Sequence, residues 1–363
     1  MTLSLYIARR FLVTFCLVFA GFFGVLYLID LIEEVRRSAS ASFGHAAGLA
    51  LLHTPGSIYH ILPLIMILTA IALFLRLART SELVAARAAG RSALRTLVGP
   101  ILTALLLGAI SVAVFNPLVA ATTKRYETLS NQNGTATSAE ASFGEDGLWL
   151  RQGDDQGQWV IHADRASPDG TTIYGMTFIS FGETGGPRAR IAAERADLAR
   201  GAWIATNAKQ WTFNSNGNPE AEAEVRDRVE LTTTLTADEI RNSFGAPQTI
   251  SIWDMRRFIG ELDRAGFSSR AYSVWFQMEM ALPLLLAAMV LVGAGFTMRH
   301  ARFGNSGTLV LLALVSGIAI FFVRNFAQVL GESGQIPIVL AAWSPPVAAA
   351  LLSVSLLLHL EDG

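Results

Sequence analysis

The residues best placed to do chemistry in this chain form one short charged segment, Arg76 to Arg91 (R-L-A-R-T-S-E-L-V-A-A-R-A-A-G-R), and the chemistry is recognition. Thr80 or Ser81 can cap a helix, Glu82 falls in the first turn where the macrodipole favours an anion, and Gly90 suits the stop. The spacing predicts a rigid helix over residues 81–89 that offers Leu83, Val84 and its alanines as a small apolar face, with Glu82 and Arg87 at its sides. Such a piece fits a groove on a soluble partner; the competing reading is a basic loop held by lipid headgroups. Catalysis finds no comparable pattern. G-x-x-x-x-G-K-[ST], H-E-x-x-H and G-x-S-x-G are all absent, which removes the usual signatures of nucleotide hydrolysis, zinc hydrolysis and the α/β-hydrolase nucleophile. The six histidines are scattered without ligand spacing. The single cysteine, Cys16, lies in an apolar run, so no intrachain disulfide or cysteine cluster for a metal is possible. We expect no enzyme, no cofactor and no metal.

The elements that position this segment follow from composition. The 363 residues are 52% hydrophobic and only 16% charged, which points to a membrane protein. A span needs about 20 apolar residues, and six stretches qualify: Phe11 to Ile32, Ile58 to Leu77, Leu97 to Val119, Val274 to Met298, Gly307 to Ala327 and Ile338 to Leu358. They form two groups of three, residues 1–119 and 274–363. Between them, residues 120–273 hold 37 of the 57 charged residues and must form a water-soluble domain. The first run is too long for a signal-peptide core and reads as an uncleaved anchor.

Arginines in short loops set the orientation. Arg76, Arg79, Arg87, Arg91 and Arg95 follow the second span, Arg299 and Arg302 the fourth, and Arg9 and Arg10 precede the first. Both termini are therefore expected in the cytoplasm and the central domain outside. Arg36 and Arg37, on the first outer loop, break the rule. The central domain alternates in short runs, Leu148 to Arg151, Trp159 to Ala163, Thr171 to Phe181, Arg188 to Leu198, Ala202 to Phe213 and Val229 to Leu235. These read as strands of a sandwich or jelly roll, either passive or with an edge open to a partner strand. Ile252 to Ala265 has the spacing of an amphipathic helix on the membrane boundary.

At S-E-L-V-A-A-R-A-A-G the sequence resembles the coupling-helix signature of the lipopolysaccharide transport permeases, the LptF/LptG family, and the likeness extends over essentially the whole chain. Gly147-Leu148-Trp149-Leu150-Arg151, the passage from Ala265-Gly266-Phe267 to Met298, and Ala341-Ala342-Trp343-Ser344-Pro345 look more like the LptG branch than the LptF branch. The resemblance implies six transmembrane helices with an all-β periplasmic jelly-roll domain inserted between the third and fourth. It implies one permease half of an ABC exporter in the bacterial inner membrane, paired with LptF, driven by a dimer of the ATPase LptB, and passing lipopolysaccharide to LptC. ATP would be bound by that ATPase partner. Glu82, with Ser81, Leu83, Val84, Arg87 and Gly90 around it, occupies the place of the family's ATPase contact. The family cavity is lined by the first and fifth spans, with cations near its outer end on lipid A phosphates. Arg36, Arg37 and Arg324 fit that chemistry, since a phosphorylated glycolipid needs apolar walls and cations at headgroup depth. For each of them the plain alternative is snorkelling to headgroups. Tyr27 and Asp30 stand where several family members, by the same likeness, carry lysine. Two other readings of the chain stay open, a permease that works a periplasmic partner without moving lipid, and a membrane-anchored periplasmic enzyme.

Overall fold

The computed structural model describes residues 2–37, 42–83, 88, 92–131, 140–144, 147–154, 157–168, 170–181, 186–213, 218–233, 235–236, 240, 245–298 and 306–362. Val84, Arg87, Gly90, Arg91, Arg299 and Arg302 lie outside them. Six helices are long and apolar enough to cross a membrane: Leu3–Arg37, Leu62–Arg79, Arg95–Ser130, Arg270–Thr297, Gly307–Glu332 and Ile338–His359. The chain is a multi-pass membrane protein. It divides into two compact units, one holding Met1–Ser130, Gln248–Trp253 and Arg270–Gly363, the other Asn131–Pro247 and Asp254–Ser269.

In the first unit, helix α1 (Thr2–Arg37) is followed by α2 (Phe43–His60) and α3 (Leu62–Arg79). The second apolar run was expected to start at Ile58, but the chain breaks at Ile61 and Pro63 stands in the first turn of α3, where its missing N–H costs nothing. Before the break, α2 is a helix that periodicity did not announce, opened by Ser42, whose hydroxyl accepts from His45 N–H at 3.4 Å. Helix α4 (Ala93–Ile110) runs through a π-helical turn, Ser111–Phe115, into α5 (Asn116–Asn131). After the interposed domain come α7 (Arg270–Thr297), α8 (Ser306–Glu332) and α9 (Ile338–Asp362). Buried shares of the apolar windows place α7 at the centre, with 78% buried, against 6% for α1 and 17% for α8.

Without a hydrophobic drive between helices in lipid, close backbone approach sets the packing. A Cβ on Gly108 of α4 would lie 2.5 Å from Pro283 Cα of α7, and one on Gly293 2.8 Å from Ala70 Cβ of α3. Gly293 and Gly295 are packing glycines, as expected; Gly21 and Gly24 of α1 meet nothing within 4 Å.

The second unit is an antiparallel sheet of eight strands, β1 (Glu140–Gly144), β2 (Gly147–Asp154), β3 (Gly157–Ala163), β4 (Arg165–Ala166), β5 (Thr172–Phe181), β6 (Pro187–Ala199), β7 (Ala202–Thr212) and β8 (Glu224–Thr232). The order is β1-β2-β3-β5-β6-β7-β8, with β4 beside β5, so each long strand pairs with its sequence neighbour in a meander. Short hairpin connections favour that order. Alternation buries Ile173, Met176 and Phe178 of β5 with Trp203 of β7 on one face. Helix α6 (Ile252–Arg264) supplies buried Met255 and Leu262. It ends at Gly266, whose φ of 88° only glycine adopts freely. Strand β8 begins in the charged run Glu224–Arg228, which is too polar to read as a strand but suits an exposed edge.

The Gly108 contact yields a test. Gly108→Ala should destabilise the bundle by about 1–3 kcal/mol through overpacking and lower its apparent thermal midpoint in detergent. Gly21→Ala should leave the midpoint unchanged or slightly higher.

Candidate functional site

The expected coupling segment begins where α3 stops. Thr80 N–H and hydroxyl both reach Arg76 O, each at 3.0 Å. Ser81 follows with a φ of 58°, the left-handed backbone that ends many helices and that a non-glycine residue adopts against steric cost. Thr80 is the C-cap of α3, and Glu82 and Leu83, directly after Ser81, are again helical. Past this turn Glu82 meets the first helix. Its Oε1 accepts from Arg10 Nη1 at 2.9 Å and from Thr80 Oγ1 at 3.2 Å, and its Oε2 from the Tyr6 hydroxyl at 3.2 Å. The Arg10 guanidinium also lies 4.6 Å from the Tyr6 ring centre. Leu83 is buried, while Val84, Arg87 and Gly90 lie outside the described residues.

The far end of α1 carries the other predicted arginines. Arg37 is paired with Glu33 one turn back at 2.5 Å. Arg36 is exposed and makes no hydrogen bond or ion pair among the described residues. Beside them, Asp30 and Glu34 are buried. Thr54 of α2 donates to Asp30 Oδ2 at 3.0 Å, His53 Nδ1 stands 3.1 Å from Asp30 Oδ1, and Tyr126 of α5 donates to Glu34 Oε1 at 2.6 Å.

Arg324, about two-thirds of the way along α8, is turned inward and only 8% exposed. Among the described residues nothing hydrogen-bonds it or lies within ion-pair distance; its charge neighbours are Glu279 of α7 and Tyr59 of α2. Glu279 is 1% exposed and accepts from the Tyr59 hydroxyl, with the Asn116 side chain also hydrogen-bonded to it. Asn116 Oδ1 in turn accepts from Ile252 N–H at 3.0 Å. Pro117 has no N–H to give to Ala113 O four residues back, and that carbonyl accepts instead from Trp253 Nε1 at 3.1 Å. Four polar residues from four helices thus meet in an apolar bundle. The arrangement holds one buried cation near a buried carboxyl group that accepts from Tyr59. Among the described residues no cluster has the make-up of a metal site.

Comparison with known proteins decides among the readings of this bundle. The family described as lipopolysaccharide export system permease LptF/LptG matches residues 5–359. The chain belongs to the LptF/LptG family. It is 21% identical over 365 residues to the lipopolysaccharide export system permease protein LptG of Escherichia coli strain K12, which covers 96% of this chain and 94% of that protein. The same figures hold for LptG of Escherichia coli O6:H1 strain CFT073. Belonging to the LptF/LptG family makes the chain a permease of the lipopolysaccharide export system, a transporter subunit.

For an LptF/LptG permease the sequence flagged Glu82, Arg36, Arg37 and Arg324 but missed their surroundings. Glu279 meets a neighbouring helix through Tyr59, and Gln277 likewise accepts from Trp343 Nε1 at 3.1 Å. Tyr59, Asn116, Thr54 and Tyr126 carried no signal of their own. One signal was available: Glu279 and Arg324 are the lone ionisable groups of their apolar runs, and such residues face partners. Tyr59→Phe should leave the Glu279 carboxyl short of a donor and cost about 1–3 kcal/mol, read as a lowered apparent thermal midpoint. Glu279→Gln, which keeps an acceptor for Tyr59, should cost less.

Proposed function

We propose that this chain is the LptG-type half of an ATP-driven exporter that extracts lipopolysaccharide from the outer leaflet of the bacterial inner membrane and passes it to a periplasmic bridge. The observation that carries the reading is the bareness of two helices: α1 and α8, the first and fifth spans, bury 6% and 17% of their apolar windows, while α7 buries 78%. Two apolar walls left open, with the buried cation Arg324 on one and Arg36 at the end of the other, suit acyl chains and phosphates of an acidic glycolipid. The sister permease LptF closes the remaining side of the cavity.

The arginine-rich ends put both termini in the cytoplasm, where an LptB dimer binds and hydrolyses ATP and docks on the segment Ser81 to Gly90, with Glu82 as its main contact. The sheet lies in the periplasm. With one face buried and eight strands, it curls into the jelly-roll form of the family and meets LptC at an open edge.

Two outcomes test this. Glu82→Arg should abolish co-purification of the ATPase while the permease stays in the membrane; normal co-purification would remove Glu82 from the docking role. Photocrosslinkers at exposed Leu17 of α1 or Val315 of α8 should capture lipopolysaccharide, and one at buried Leu286 should not. Capture from neither exposed position would favour a permease that only drives a periplasmic partner, and activity of the sheet domain without any ATPase would favour an enzyme.

A further inference from the structure

Helix α1 touches the rest of its bundle mainly at its ends. At the Arg10 end, Phe11 is fully buried and Ile7 nearly so, and a Cβ on Gly99 of α4 would lie 2.5 Å from Ser4 O, a backbone-to-backbone approach. From Leu12 to Ile29 no large apolar side chain of α1 is buried: Leu12, Val13, Leu17, Val25, Leu28 and Ile29 are exposed, and Phe15 and Phe19 lie partly buried against the core. Any displacement of α1 relative to the bundle therefore has few fully buried contacts through which to arrive. One contact is charged and reaches the coupling segment: Tyr6 and Arg10, four residues apart and so on one face of α1, donate to the two oxygens of Glu82.

The pair is a poor candidate for fold stabilisation. Arg10 and Glu82 side chains are 31% and 32% exposed, and half-exposed ion pairs add little; the packing of Ile7 and Phe11 already seats this end of the helix. Yet the carboxylate is held with unusual completeness, by a guanidinium, a phenol and the Thr80 hydroxyl, and on a turn whose left-handed Ser81 persists only because its neighbours determine it. A weakly stabilising but well-directed contact between two elements suits transmission, since it can be stretched or exchanged without unfolding either element.

We propose that Arg10, assisted by Tyr6, is a positioning residue that ties Glu82 to the first span, so that movement of the ATPase-contacting segment reaches the lipid-facing helix α1 through this ion pair. The inference rests on the reading of Glu82 as the ATPase contact. When the ATPase shifts the segment, the charge on Glu82 draws Arg10 with it, and the end of α1 moves.

The experiment uses the full complex with sister permease and ATPase in proteoliposomes containing lipopolysaccharide, and it measures ATPase co-purification, ATP hydrolysis, and lipid released per ATP. For Arg10→Gln the ATPase should co-purify as in the unaltered complex and hydrolysis should persist, while lipid released per ATP falls about fivefold, the effect of losing roughly one weak contact. Arg10→Lys, which keeps the charge, should recover most of the loss, and Tyr6→Phe should show a smaller drop of the same kind. Unchanged release per ATP in both Arg10→Gln and Tyr6→Phe would overturn the proposal. So would loss of ATPase binding in Arg10→Gln with normal release per ATP from the complexes that remain, because Arg10 would then act on docking alone. If Arg10→Gln fails to reach the membrane, Tyr6→Phe decides by the same measure. An unaltered complex that retains no ATPase would instead sink the Glu82 reading, and this one with it.

Discussion

Hydrocarbon offers a carboxyl group no water, so an acid inside the spans has to be met by donors from the protein, and in this chain those donors decide which helices are joined. Asp30 takes the hydroxyl of Thr54, Glu34 that of Tyr126, and Glu279 that of Tyr59. Each donor sits on a different helix from its acid, so each bond is also a tie: α1 to α2, α1 to α5, and α2 to α7. Helix α2, short and too polar to span, is in this sense the hub of the polar scheme although α7 is the hub of the packing. Only Arg324 stands outside it, buried beside Glu279 but with no direct bond among the described residues. A guanidinium placed so suits the proposed contact with an anionic headgroup.

The same ties explain how one helix can be anchored and yet bare. Helix α1 is fixed at one end by Ile7, Phe11 and the Arg10–Glu82 pair, and at the other by Asp30 and Glu34. Between those points no large side chain is buried, though Phe15 and Phe19 lean on the core, and its glycines, Gly21 and Gly24, approach no other backbone among the described residues. A wall fastened by its rims suits the proposed cavity shared with a sister permease, because its middle can face a changing occupant. The permease assignment and the packing thus account for each other.

Much of this was legible in the residues. Six apolar runs gave six spans, and the amphipathic spacing from Ile252 gave α6 nearly to the residue, because both signals depend on local periodicity alone. What stayed hidden had non-local causes. Helix α2 mixes histidines, glycines and a proline, and its helicity follows from burying Leu49, Ala50 and Ile58 against neighbours far along the chain. The partner of Glu279 is 220 residues away, a distance no pattern bridges. That Ser81 would stand with a φ of 58° was not legible either, because Ser and Thr serve both ends of helices and residue type does not specify the backbone angles. Six of the eight strands were found, without β1 and β4, and their order was not. Alternation says which residues share a face and is silent on which strand lies beside which.

One detail has wider reach than its size suggests. The π turn at Ser111–Phe115, where Asn116 N–H bonds back to Ser111 O, is a helix carrying one surplus residue. Everything after it, including Asn116 and Tyr126, is rotated by about 100° relative to an unbroken α-helix, the angle that one residue spans. Shortening the turn by a single residue would swing Tyr126 away from Glu34 and Asn116 away from Glu279, releasing the outer rim of α1 and the centre of the bundle together. A lineage that kept every side chain named above but lost that one position would inherit the parts without the alignment, so the length of this span is as much a functional character as any arginine in it.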